Sequence, residues 1–171
     1  MFAEAIILSI IIGLIRGGSI KRIRIINNSS FWAMLLGIVI QYLLIFLDAI
    51  EGNGSVEFVL RYYTQIQVFS YILILIGIIF NIRLRSLWAL LVGYGLNFIS
   101  LAFNGWTIPN LIENTSQDVK FPVLGYTIKA FEPYPFPKLL TLGDIIISFG
   151  IFALIQEVMI GGSSHSRVYK L

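Results

Sequence analysis

The feature that most constrains this chain is its succession of apolar runs. Residues 31–48, 61–80, 87–103 and 145–160 are each close to the roughly 20 apolar residues that a helix needs to cross a bilayer. A fifth run, 2–15, reaches only about 21 Å at about 1.5 Å per residue, so it must tilt, thin the bilayer or go part way across. It has neither the basic leading region nor the small-residue cleavage site of a signal peptide, which keeps it in the mature protein. Five such runs in 171 residues leave no polar surface to cover them. The chain is 57% hydrophobic and 12% charged, against about 45–50% and about 25% for soluble domains. A water-soluble fold is therefore excluded. The expected fold is an all-α integral membrane protein of about five transmembrane helices, the first one short.

Charge supplies the orientation. Arg16, Lys21, Arg22, Arg24, Arg83, Arg85, Arg167 and Lys170 fall on one side if all five runs cross, and they are eight of the twelve basic residues. Glu4, Asp48, Glu51, Glu57, Glu113, Asp118, Glu132 and Asp144 fall on the other. The positive-inside rule then places the N-terminus outside and the C-terminus in the cytoplasm, with 161–171 a polar cytoplasmic tail. The basic balance is thus a topology signal, and no nucleic-acid partner is expected. The Arg16–Arg24 cluster reads as attraction to anionic inner-leaflet lipid. With no cysteine and one histidine, His165, no metal site, disulfide or cofactor is expected. No glycine-rich phosphate loop is present.

The chain reads as a single membrane domain over 1–171 with one extramembrane feature, the outer loop 104–143. That loop holds all five prolines, and its aromatic residues, Trp106, Phe121, Tyr126, Phe131, Tyr134 and Phe136, argue for order. Residues 119–131 suggest a hairpin around Leu124-Gly125, and 133–137 must be extended. Trp106, Pro109, Phe121 and Tyr126 are the expected contacts of a belt on the headgroups or a cap over a cavity or partner.

Polar residues inside the runs mark candidate sites. Gln41 and Asn97 each follow a glycine by four residues, Gly37 and Gly93, a pattern that lets helices approach and an amide bond across the gap. Gly93, Asn97, Ser100 and Asn104 form one stripe, either a packing seam or a polar lining. Gln65, Gln67 and Ser70 could extend either. Asp48 ends one run and Asp144 begins the last. Asp144 is expected to cap its helix, with catalysis by a carboxylate pair as the alternative. Asp48, then Glu113 or Asp118, would be its partner. Glu157 is expected to snorkel or pair with loop arginines.

Two resemblances follow from these residues. Arg16-Gly17-Gly18, Gln41, Asn104-Gly105-x-x-Ile108-Pro109 after Asn97, and Leu142-Gly143-Asp144-Ile145 resemble an uncharacterised family of small multipass membrane proteins of clostridial-type bacteria. That family's usual Asn-Gly-x-x-Met-Pro-Val has Ile108 and Asn110 here. The resemblance implies the bacterial cytoplasmic (inner) membrane and no assigned activity. Within residues 95–160, Gly95-x-Asn97-x-x-Ser100 with Gly105, and Gly143-Asp144-x-x-Ile147, are similar to signal peptidase II, an aspartic enzyme of lipoprotein processing. By that pattern Asp144 matches one catalytic aspartate, whereas Ser100 stands where the other would be and Leu101 replaces an arginine. Ser100 cannot share a proton as a carboxylate dyad does.

The expected function is a non-enzymatic subunit, scaffold or assembly factor of an inner-membrane complex. Its expected partners are the lipid bilayer and other membrane-protein subunits or further copies of the chain, with bound lipid as an additional expectation. A membrane-embedded aspartyl hydrolase and a protein that binds or moves a lipid or amphiphile are the alternatives.

Overall fold

A computed structural model describes residues 2–25, 29–48, 61–112, 119–129 and 139–160. Five α-helices account for most of it: α1 (Phe2–Ile15), α2 (Ser29–Asp48), α3 (Tyr63–Phe80), α4 (Leu87–Phe103) and α5 (Leu142–Ile160). Short 3-10 turns occupy Ile20–Ile25 and Pro122–Leu124, and a two-stranded sheet pairs β1 (Ile128–Lys129) with β2 (Leu139–Leu140). The apolar runs predict α1 and α4 to the residue. α2 begins earlier, at Ser29, α3 later, at Tyr63, and α5 earlier, at Leu142. Tyr63–Phe80 and Leu142–Ile160 are long and apolar enough to cross a membrane, and shorter apolar helices are found at Glu4–Ile15, Ser29–Leu44 and Leu87–Phe103.

The helices pack in the order α2, α3, α4, α5, α1. Glycines set the two closest crossings. A Cβ on Gly37 would stand 2.7 Å from Ile74 Cγ1 and 2.8 Å from the Ser70 carbonyl oxygen, and Gly77 sits against Met34 and Ser30. A Cβ on Gly93 would stand 2.7 Å from Ile147 Cγ1 and 2.9 Å from the Gly143 carbonyl oxygen, and Gly150 packs on Leu90. Both pairs are therefore antiparallel, with backbones nearly touching. Where the surroundings are as apolar as the helix faces, such close approach and interhelical hydrogen bonds supply the association. Ile74, Ile78, Leu90, Tyr94 and Ile147 form the centre of the core.

α1 joins differently. It runs parallel to α5: Ser9 Oγ donates to the Phe152 carbonyl at 2.7 Å, Gln156 Nε2 donates back to the Ser9 carbonyl at 2.5 Å, and Gly13 meets Met159. With α2 it shares no lengthwise packing, and the two meet edge to face through Phe2 and Tyr42 with centroids 6.2 Å apart. α1 ends in a Schellman turn, in which Gly17 takes φ +77° and Gly18 N–H donates to the Gly13 carbonyl at 2.8 Å. The turn carries the chain back over the end of α5, where Ser19 N–H and Arg22 Nη1 both donate to the Met159 carbonyl. A cation at a helix C-terminus also meets the negative end of the dipole.

The described part of the 104–143 loop folds onto the other end of the bundle. The Tyr126 N–H donates to the Pro109 carbonyl at 2.8 Å, and Asn110 and Tyr126 form an isolated bridge. The expected hairpin within 119–131 is not what forms among the described residues. Pro122–Leu124 is a 3-10 turn, and Ile128–Lys129 pairs with Leu139–Leu140 immediately before α5. Pro122 sets φ for the turn, and the strand finds its partner across a longer stretch of chain.

Candidate functional site at the start of α5

The sequence-marked polar residues converge where α4 meets the first turn of α5. That turn opens with a capping box. Thr141 is the N-cap, and its Oγ1 accepts from the Asp144 N–H at 2.9 Å. Asp144, three residues on, accepts through Oδ2 from the Thr141 N–H at 3.0 Å. Two orphan donors of the helix start are thereby satisfied reciprocally. Asn97 of α4 closes the arrangement: its Nδ2 donates to Asp144 Oδ1 at 2.9 Å, and its Oδ1 accepts from Thr141 Oγ1 at 2.8 Å. Asn97 and Thr141 are buried. The α4–α5 glycine crossing lies beside this network, because a Cβ on Gly143 would collide with the Asn97 amide.

The other candidates are distributed as follows. Ser100, one turn along α4 from Asn97, is fully buried, and its Oγ has no hydrogen-bond partner among the described residues. Asn104, the C-cap of α4, binds the loop: its Oδ1 accepts from Lys120 N–H and its Nδ2 donates to the Lys120 carbonyl, both at 2.9 Å. Gly37 and Gln41 lie along α2 on the side of the α3 crossing, and Gln41 Nε2 is buried with no partner among the described residues. Ser70 donates to the Gln67 carbonyl within α3. Asp48 is the last residue of α2, but its side chain lies outside the description, as do Glu113, Asp118 and the tail 161–171.

The loop residues rest on α4. Trp106 packs on Phe98 at 6.1 Å and Phe121 meets Phe103 edge to face at 5.3 Å. Pro109 is buried, and Gly125 packs against it. A cavity of about 280 Å³ lies there, lined by Phe103, Asn104, Gly105, Thr107, Pro109, Val119 and Lys120.

At the opposite end Glu157 does something the sequence did not suggest. Its carboxylate accepts from the Arg85 N–H at 3.1 Å, the Ser86 N–H at 2.9 Å and the Ser86 hydroxyl at 2.6 Å, so it caps α4 from another helix. It meets a loop arginine through the backbone, which serves the orphan amides of a helix start.

A sequence profile for a family of unknown function matches residues 25–156, well over half the chain. The chain belongs to that family, DUF5317. No curated protein and no solved structure matches it. The DUF5317 match takes in α2, α3, α4, the loop and all but the last turn of α5, and so the whole Asn97–Thr141–Asp144 network. α1 precedes it. Thr141 was missed in the sequence reading, although Thr-x-x-Asp ahead of an apolar run is the spacing of a capping box.

Proposed function

We propose that this DUF5317 member is a non-enzymatic subunit or scaffold of a bacterial cytoplasmic-membrane complex. In this reading all five helices cross, with the N-terminus outside and the basic end in the cytoplasm. The observation that carries it is the use of Asp144. Both its oxygens already serve the capping box and Asn97, and no second carboxylate among the described residues bonds to it. A hydrolytic dyad needs two carboxylates sharing a proton, and the matching position holds Ser100. Outward-facing Trp32, Phe46, Phe80, Trp88 and Phe149, each at least 58% exposed, suit lipid and neighbouring membrane helices.

Mild detergent extraction from native membranes, with mass spectrometry of what co-purifies, tests the proposal. A stoichiometric protein partner is expected, retained by Asp144→Asn and lost by Gly93→Leu. Loss of a lipoprotein- or lipid-processing activity in a folded Asp144→Asn variant would overturn it.

A further inference from the structure

Two basic stretches that lie far apart in the chain meet at the end of α5 remote from Asp144. From one side come Arg16, Lys21 and Arg22, just after α1 and in the 3-10 turn that follows it. Arg16 Nη1 donates to Gln156 Oε1 at 3.3 Å, and Arg22 Nη1 donates to the Met159 carbonyl at 3.0 Å. From the other side come Arg83 and Arg85, in the turn between α3 and α4. That turn is held to α5 by the Arg85 and Ser86 amides, which donate to Glu157 at 3.1 and 2.9 Å. Gln156 and Met159 are separated by a rise of only about 4.5 Å, with Glu157 between them, so both groups gather round one helix end.

Little in the chain answers this charge. Glu157 is the one carboxylate described at this end, and its hydrogen bonds come from two backbone amides and the Ser86 hydroxyl. Glu4 and Asp144 stand at the starts of α1 and α5, at the other end. Residues 26–28 and 161–171, which adjoin the patch in sequence, hold no Asp or Glu. Arg16, Lys21, Arg83 and Arg85 are exposed, and the Lys21 and Arg83 side chains make no hydrogen bond or ion pair among the described residues. Exposed apolar side chains flank the charges. Leu14 and Ile15 precede Arg16, Ile20 precedes Lys21, Phe80 lies three residues before Arg83, and Trp88 three after Arg85. A face that is basic at its tip and apolar at its flank fits the phosphate and upper acyl carbons of a phospholipid. Guanidinium groups also suit phosphate oxygens by their forked geometry. An acidic soluble segment would match the charges and leave the apolar flank unused.

We propose that this end of the bundle is a binding site for an anionic phospholipid, with Arg16, Lys21, Arg83 and Arg85 gathered around its phosphate. The headgroup answers charge on both sides at once and so joins the end of α1 to the turn between α3 and α4. The site rests on the membrane-crossing part of the proposed function and is independent of the scaffold part.

The test places the full chain in nanodiscs of equal phosphatidylglycerol and phosphatidylcholine with matched acyl chains, and reads the retained lipid by native mass spectrometry. The wild type is expected to keep phosphatidylglycerol preferentially. Lys21→Gln and Arg83→Gln, one from each side, are each expected to weaken that preference about fivefold, and the double variant to lose it. Arg61→Gln, two residues ahead of α3 at the other end, controls for diffuse charge and is expected to change nothing. Melting temperatures in detergent check that each variant is folded. Equal retention of the two lipids by an inserted wild type overturns the site alone. A preference that survives in the double variant, or that Arg61→Gln weakens equally, overturns it too. Failure of the chain to enter the discs overturns the membrane reading as well. An acidic protein that co-purifies with the wild type and not with the double variant, in the absence of any lipid preference, assigns the face to that protein and overturns the lipid site.

Discussion

Thr141 joins two roles in one side chain: it caps α5 by accepting from the Asp144 N–H, and it donates to Asn97. Thr141→Ala removes both and leaves the Asn97 carbonyl oxygen without that donor. A loss of about 1–2 kcal/mol is expected from denaturant unfolding in detergent followed by circular dichroism, with Thr141→Ser retaining most of it. Gln41 predicts the opposite sign. Its buried amide nitrogen has no partner among the described residues, so Gln41→Met should leave the isolated protein as stable or more stable in the same measurement. At this scale the sequence was legible only in part. Asp144 stood out as an acid at a helix start, but what Asn97 bonds depends on which helix lies beside α4. Spacing along one helix carries no such information.

Helices were far more legible than their pairings, because an apolar run measures its own length. The glycines show where the reading stops. Gly93 and Gly95 lie on the same helix two residues apart, yet Gly93 faces the backbone of α5 while a Cβ on Gly95 would meet nothing within 4 Å. Gly93→Leu is therefore expected to abolish a monodisperse, folded preparation on size exclusion, and Gly95→Ala to be indistinguishable from wild type. Overpacking alone costs about 1–3 kcal/mol, and here the clash includes backbone, which cannot rotate away. Glu157 gives a second test between elements. Glu157→Ala orphans two amides at the start of α4, which is expected to cost about 1–3 kcal/mol in unfolding and to speed exchange of the Arg85 and Ser86 amides. The loop pairing was missed because β1 and β2 are two residues each, too short for any alternation to register.

At the scale of the whole molecule, the proposed topology sets Lys21 and Thr127 on opposite sides of the membrane. The chain has no native cysteine, so Lys21→Cys and Thr127→Cys can be introduced singly without further change. A membrane-impermeant maleimide added to intact cells is expected to label the cysteine at position 127 and to reach that at position 21 only after lysis. The parallel contact between α1 and α5 bears on how the bundle comes into being. α2 can meet α3, and α4 can meet α5, soon after each pair is synthesised. α1 has no helix packed along it until α5 arrives, and the Ser9–Phe152 bond spans 143 residues of chain. Translation therefore leaves α1 waiting, with a buried-type serine and a glycine-bearing face uncovered, for nearly the whole life of the nascent chain. Contacts so distant in sequence are late and slow to form. The pairing of α1 with α5 is thus expected to follow those of α2 with α3 and α4 with α5, and a ribosome stalled before residue 152 leaves α1 without the helix that packs along it.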